Sequence, residues 1–185
     1  MVYRWFIGPG IPCRSRRFKK KLRQHAREPA DHALGRSRGG WGTKLHMITD
    51  GNGRPLVIEV SPGQCHESTR FEETMNAVRI PQPVGPPRRR PEALAGDKAY
   101  GCERIRDWLK SHRIQDVIPT KSNQEANPNF DRDAYRRRNV VERCICWLKE
   151  FRRIATRFEK LAVNFLAMLK LAMIRRCFRS LIDTP

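Results

Sequence analysis

Glu142 stands alone as an acid in YRRRNVVERCICWLK, residues 135–149, just where an arginine-rich run turns apolar. Tyr135, Arg138, Glu142 and Lys149 lie at offsets of 3, 7 and 14 residues. At about 100° per residue these positions fall within about 60° of one another on one helix. Ile145, three residues past Glu142, falls near the same side, so the stripe is expected to face the domain. The stripe reads in two ways. Arg138 and Glu142 can form an ordinary helical ion pair worth a few tenths of a kcal/mol. Alternatively, the carboxylate works with a second acid elsewhere in the chain.

Asp97 is the natural second acid. It follows the short apolar run LAG (94–96) and precedes Lys-Ala-Tyr-Gly. A carboxylate at the C-terminal end of a strand opens onto the face where α/β sheets usually hold their sites. Its plainer role is to cap the next helix.

The elements around these acids follow from pattern. KLHMIT (44–49) and PLVIEV (55–60) read as strands joined by DGNG (50–53), a hairpin signal. Leu56, Ile58 and Val60 are expected on one face of the second strand. GRSRGG (35–40) reads as a flexible basic loop, ESTRFEETMNAV (67–78) as a helix, and PQPVGPPRRRP (81–91) as a loop that cannot continue it. After the LAG strand, CERIRDWLKSHR (102–113) places Ile105, Trp108, Leu109 and His112 on one helical face. QDVIPT (115–120) is a further short strand, and the chain is mostly helical from about residue 132 to 181. The order predicts a mixed α/β domain over residues 31–185. Residues 1–30 carry RSRRFKKKLR (14–23) and no aspartate, and show no sustained period. They read as a basic, poorly structured segment.

Bulk numbers bound the function. The 185 residues carry 38 Lys+Arg against 19 Asp+Glu, a net charge of +19, with 39% hydrophobic residues. A globular chain with that excess points to a polyanion, nucleic acid first. No CxxC pair occurs among the six cysteines, which argues against a zinc ribbon. The longest apolar stretch, near LAVNFLAML, is about half the ~20 residues a membrane span needs. The chain is expected in the cytoplasm with reduced thiols.

GDKAY (96–100) together with Y-x2-R-x3-E-x6-K (135–149) resembles the DDE transposases of bacterial insertion sequences, of the family four and five type. GRSRGGWGTKLHMITDGNGRPL (35–56) and FRRIATRFEKLAVNFLAML (151–169) resemble further segments of the same group in the same order. The resemblance implies a ribonuclease H-like mixed sheet flanked by helices, with a long helical C-terminal region. It implies metal-dependent phosphodiester cleavage and strand transfer at element ends. Asp97 and Glu142 would be the second and third acids, holding Mg²⁺, with Mn²⁺ as substitute. Hard divalent cations take carboxylate oxygens, and two ions ~3.5–4 Å apart can activate the nucleophile and stabilise the leaving oxygen. Tyr135, Arg138 and Lys149 would contact DNA, arginine as a two-pronged grip on phosphate and lysine as a point charge. The implied partners are element ends and target DNA, at the bacterial nucleoid, with the chain acting as a homo-multimer when intact.

The family also needs a first aspartate on an opening strand before GRSRGG. Asp31, in EPADHALG, is the nearest candidate, and Asp50 belongs to the hairpin turn. IGPGIPCRSRRFKKK resembles out-of-frame translation of a strand-coding region. The chain is therefore expected to be truncated or frameshift-derived, to lack its first strand, and to be a partial or inactive form. The alternative is a non-catalytic basic DNA-binding protein. An RNA-binding role finds no aromatic stacking motif in its support.

Overall fold

The computed structural model describes residues 4–8, 10–15, 32–122, 124–125, 127–128 and 130–182. Its centre is the hairpin of β4 (Gly40–Asp50) and β5 (Pro55–Pro62). The turn between them forms as DGNG dictates. Asp50 Oδ1 accepts from the N–H groups of Asn52 at 2.9 Å and Arg54 at 2.8 Å, and Gly53 takes φ +78°, where a side chain is disfavoured. GRSRGG is not a loose loop. β3 (Gly35–Ser37) folds back antiparallel on the start of β4, with Gly40 at φ +101° closing the turn.

A strand precedes GRSRGG and lies inside the sheet, against the expectation that none would. β1 (Arg4–Ile7) pairs antiparallel with β4 and parallel with β6 (Ala93–Ala95), which pairs parallel with β7 (Gln115–Val117). β2 (Ile11–Ser15) continues along β4 and pairs parallel with the short β8 (Thr156–Arg157). Residues 4–15 are thus largely strand rather than poorly structured. Residues 16–31, including Asp31 and most of the basic run, lie outside the described residues. The result is an eight-stranded mixed sheet whose longest path runs β7-β6-β1-β4-β2-β8.

Helices cover both faces. On one, α1 (Phe71–Ala77) and α2 (Glu103–Ser111) bury Phe71, Met75, Ile105 and Leu109 against Trp5, Ile7 and Ile48. On the other, α3 (Arg132–Arg136), α4 (Asn139–Glu150), α5 (Arg152–Ala155) and α6 (Ala162–Ile182) enclose Phe6, Leu45, Met47 and Ile58 with Val141, Ile145, Leu148 and Phe165. Two-sided burial explains RWFI: Trp5 and Ile7 enter one core and Phe6 the other, so the strand is apolar without alternation. The same cover buries Val57 beside Ile58, so the second hairpin strand does not have the single core face expected of it. On α2, Ile105 and Leu109 are buried as expected, while exposed His112 stacks on half-buried Trp108 at 4.0 Å. No helix among the described residues is long and apolar enough to cross a membrane.

His46 on β4 is a buried polar group inside this frame. Its Nε2 lies 2.7 Å from Ser61 Oγ, while Nδ1 has no partner. Burial, reinforced by the Lys44 charge, lowers its pKa to about 4. The unfolded chain therefore binds this proton below about pH 6.5, and the folded one only near pH 4. Stability falls as pH drops through that window, by about 3 kcal/mol in all. Thermal melts at pH 7 and pH 4.5 should show the loss, and His46→Gln should flatten it.

Candidate active site

The C-terminal end of β1 organises the site. Gly8 N–H donates to Met47 O at 3.1 Å, extending the ladder, and Gly8 O accepts from the Tyr100 hydroxyl at 2.9 Å. Tyr100 is fully buried, and burial pushes its phenol far above its usual range, helped by the charges of Asp97 and Glu67. Tyr100 thus ties the turn after Asp97 to the end of β1.

Asp97 leaves β6 in extended conformation, and its Oδ1 accepts from Ala99 N–H at 2.8 Å, capping the 3₁₀ turn Lys98–Tyr100. The capping role read from sequence is thus real, and it occupies one carboxylate oxygen. Gly96 before it is tight: a Cβ there would stand 2.9 Å from Ile7 Cγ2, so the strand ends pack backbone to side chain.

The second acid comes from the other side of the sheet. The expected single helix over 135–149 is broken. Tyr135 belongs to α3 and Glu142 to α4, with Arg137 and Arg138 in a turn between them. The turn carries i→i+3 bonds, Arg138 N–H to Tyr135 O at 3.0 Å and Val141 N–H to Arg138 O at 3.1 Å, so the chain stays coiled through it. The stripe survives locally. Arg138 bonds Glu142 Oε1 at 2.7 Å and lies over the Tyr135 ring at 5.4 Å. Tyr135 in turn sits 5.4 Å from the Phe130 ring. Glu142 is half-exposed beside buried Val141 and Ile145. Lys149 lies in the last turn of α4, and its charge reaches Cys13 of β2. Burial raises the Cys13 thiol to about 11 against the pull of Lys149 and Arg157.

Both acid-bearing segments abut Gly8. A Cβ built there would stand 2.9 and 3.2 Å from the two Val141 methyls and 3.3 Å from Ile145 Cδ1. Glu142 adjoins Val141 in the chain, and the Asp97 turn reaches Gly8 through Tyr100. Gly8 is therefore the point in the sheet that both segments flank, and it carries no side chain. Among the described residues, no group of three Asp, Glu, His or Cys side chains could hold a metal ion. Two carboxylates, one capping a turn and one paired with arginine, do not make a three-acid metal site.

Sequence reasoning missed two further features. Lys44 Nζ donates to Cys65 O at 2.6 Å and to Glu67 Oε1 at 2.9 Å, a largely buried pair beside Gly10. Burial would raise the Glu67 carboxyl, but the Lys44 hydrogen bond and charge hold it below its usual value. Arg157 is wholly buried. A lysine at the centre of a strand and an arginine before FEK look like surface charges until the opposing chain is known.

The sequences of known proteins match much of this chain. A family described as the transposase DDE domain matches residues 14–177. A Burkholderia cepacia protein, described as a candidate transposase for insertion sequence element IS402, is 31% identical over 141 residues, 76% of this chain and 64% of its own length. A Brucella ovis counterpart, described for element IS6501, is 28% identical over 131 residues, 70% of this chain and 93% of its own length. The chain therefore spans less than two thirds of the Burkholderia relative. With most of its length matched by the family and both acid-bearing segments inside the match, the chain belongs to the DDE-domain transposases of insertion sequences.

Proposed function

We propose that this chain is a DNA-binding transposase with an incomplete catalytic set: it engages insertion-sequence DNA but does not cleave phosphodiester bonds unaided. The observation that carries this reading is Gly8, the residue flanked by both the Asp97 turn and the Glu142 helix. The strand path β5-β4-β1-β6-β7, antiparallel and then parallel, supports a ribonuclease H-like sheet with β1 as its opening strand. DDE transposases typically use divalent metal ions. Asp97 and Glu142 would be two of the acids that hold Mg²⁺ or Mn²⁺ here, and the third is missing from β1.

DNA binding does not need the missing acid. Tyr135, Arg138 and Lys149 would bind the DNA near the acids, Arg138 through phosphate oxygens. Glu142 tempers this grip by holding Arg138 in the free protein, so a phosphate must compete for the guanidinium. The element's paired ends would call for more than one copy of the chain.

The test is a pair of assays on one preparation. Binding to a labelled duplex should weaken steeply as salt rises, since each phosphate contact releases counterions. Supercoiled plasmid in Mg²⁺ or Mn²⁺ should remain intact. Nicking that Asp97→Ala and Glu142→Ala abolish would show a complete catalytic set and overturn the proposal. Salt-dependent binding that EDTA leaves unchanged would support it.

A further inference from the structure

Beside the Asp97 turn lies a polar cleft of about 500 Å³, lined by Lys98, Pro119, Thr120, Asn127, Phe130 and Arg132. Its size falls in the range of cavities that hold small ligands, about 300–1,000 Å³. Two cations reach it from different segments, Lys98 from the 3₁₀ turn after β6 and Arg132 from the start of α3. The acids next to them are engaged elsewhere. Asp131 pairs with Arg4 at 3.0 Å and caps Ala134 N–H at 2.8 Å, and Asp97 caps Ala99. Lys98 and Arg132 are exposed, and neither has an ion pair among the described residues. Asp133, the other acid beside Arg132, pairs with Arg136 at 3.5 Å, so among the described residues the two converging cations have no carboxylate paired to them and suit an anion.

The rest of the lining fits a nucleotide. Thr120 brings a hydroxyl and Asn127 an amide, and half-buried Phe130 offers an apolar ring. That ring is braced by Tyr135, whose ring is tilted 52° to it. From Phe130 the contacts run in one row: to Tyr135 at 5.4 Å, from Tyr135 to Arg138 at 5.4 Å, and from Arg138 to Glu142 at 2.7 Å. A strand entering the cleft is thereby led toward the acid-bearing helix.

We infer that this cleft is a DNA subsite, holding one backbone phosphate between Lys98 and Arg132 with the adjoining base against Phe130. The inference rests on the DNA-binding function proposed above and names a subsite within it. Lysine there neutralises as a point charge, and arginine can grip two phosphate oxygens. Base–aromatic contact accepts any base, so the subsite adds affinity without sequence preference.

The experiment measures fluorescence anisotropy of a short labelled DNA on the full chain, as single strand and as duplex, over a salt series. Lys98→Ala and Arg132→Ala should each reduce the slope of log K against log[salt] by about 0.7–0.9. Both side chains are exposed, so circular dichroism of the variants should match the parent. Phe130→Leu keeps apolar packing and should weaken single-strand binding by about fivefold or more. Lys110→Ala, on α2, serves as the control and should change neither slope nor affinity. If the Lys98→Ala/Arg132→Ala double variant keeps the parental slope while Arg138→Ala weakens binding, the cleft is overturned and the DNA reading stands. If the parent shows no salt-dependent DNA binding, both fall together.

Discussion

Gly8→Asp combined with Val141→Ala is expected to bind Mn²⁺ about tenfold or more tightly than the parent chain, because carboxylate count tunes divalent-ion affinity. In the parent the Asp97 turn and the Glu142 helix both border Gly8, which has no side chain, and the substitution supplies a carboxylate there. The second change is needed because of the geometry at Gly8, where the Val141 methyls leave no room for a Cβ. Gly8→Asp alone should therefore overpack the site and cost about 1–3 kcal/mol. Val141→Ala alone leaves a cavity and should cost a comparable amount. Together they should cost less than their sum, since the new side chain fills the space the methyls vacate. Calorimetric titration with Mn²⁺ and denaturant unfolding of all four proteins complete the cycle. Additive stability losses with unchanged metal affinity would show that Gly8 is not where the acid belongs.

Arg157→Ala is expected to destabilise the fold by about 3–5 kcal/mol, on the order of two hydrogen bonds from a buried charged donor at roughly 1.5–3 kcal/mol each. The side chain has no exposure and reaches in several directions. Its Nη1 donates to Ala33 O at 3.2 Å and Thr43 Oγ1 at 2.5 Å, its Nη2 to Lys160 O at 2.9 Å, and its Nε to Glu159 O at 2.9 Å. The guanidinium also lies 5.2 Å from the Phe165 ring centroid. One residue thus joins the segment before β3, the β4 strand, the link into α6 and α6 itself. Truncation takes the arginine donor from Glu159 O and Lys160 O and leaves Ala33 O with the Thr43 hydroxyl, and each lost bond is costly. For a chain of this size the expected fall in Tm is roughly 6–20 °C. Arg157→Lys should recover only part of it, because an ammonium cannot reach every acceptor of the fork. A melt within about 2 °C of the parent would show that the junction holds without it.

How far the sequence could be read depended on whether the signal was local. The DGNG turn, the α2 face and the strand before Asp97 declare themselves within a few residues, and all three fold as their patterns require. The spacing of Arg138 and Glu142 also held, down to the ion pair. What stayed hidden depends on distant partners. RWFI is four residues between Met-Val-Tyr and Gly-Pro-Gly, and only burial by both helical layers explains its lack of alternation. GRSRGG has loop composition, yet pairing with Gly42 and Trp41 makes it a strand. The break between Tyr135 and Glu142 leaves no mark in a run of arginines, each a good helix former. Gly8 is the sharpest case. A glycine in a sequence shows only that a side chain is missing, and its place between two acid-bearing segments appears once the chain is folded.

The position of β1 also sets the order in which the chain can assemble. Its partners are β4 and β6, and Phe6 lies opposite Ala95, so the middle of the sheet joins segments synthesised far apart. The β4–β5 hairpin can zip early through nearest neighbours, whereas β6 has no seat until β1, made well before it, is captured. Loop-closure entropy must be met before that parallel pairing returns anything, which makes it slow. On the ribosome, Trp5 and Ile7 wait for full cover until α2 emerges and Phe6 until α4 and α6 do, and over that interval the nascent chain is most in need of a chaperone.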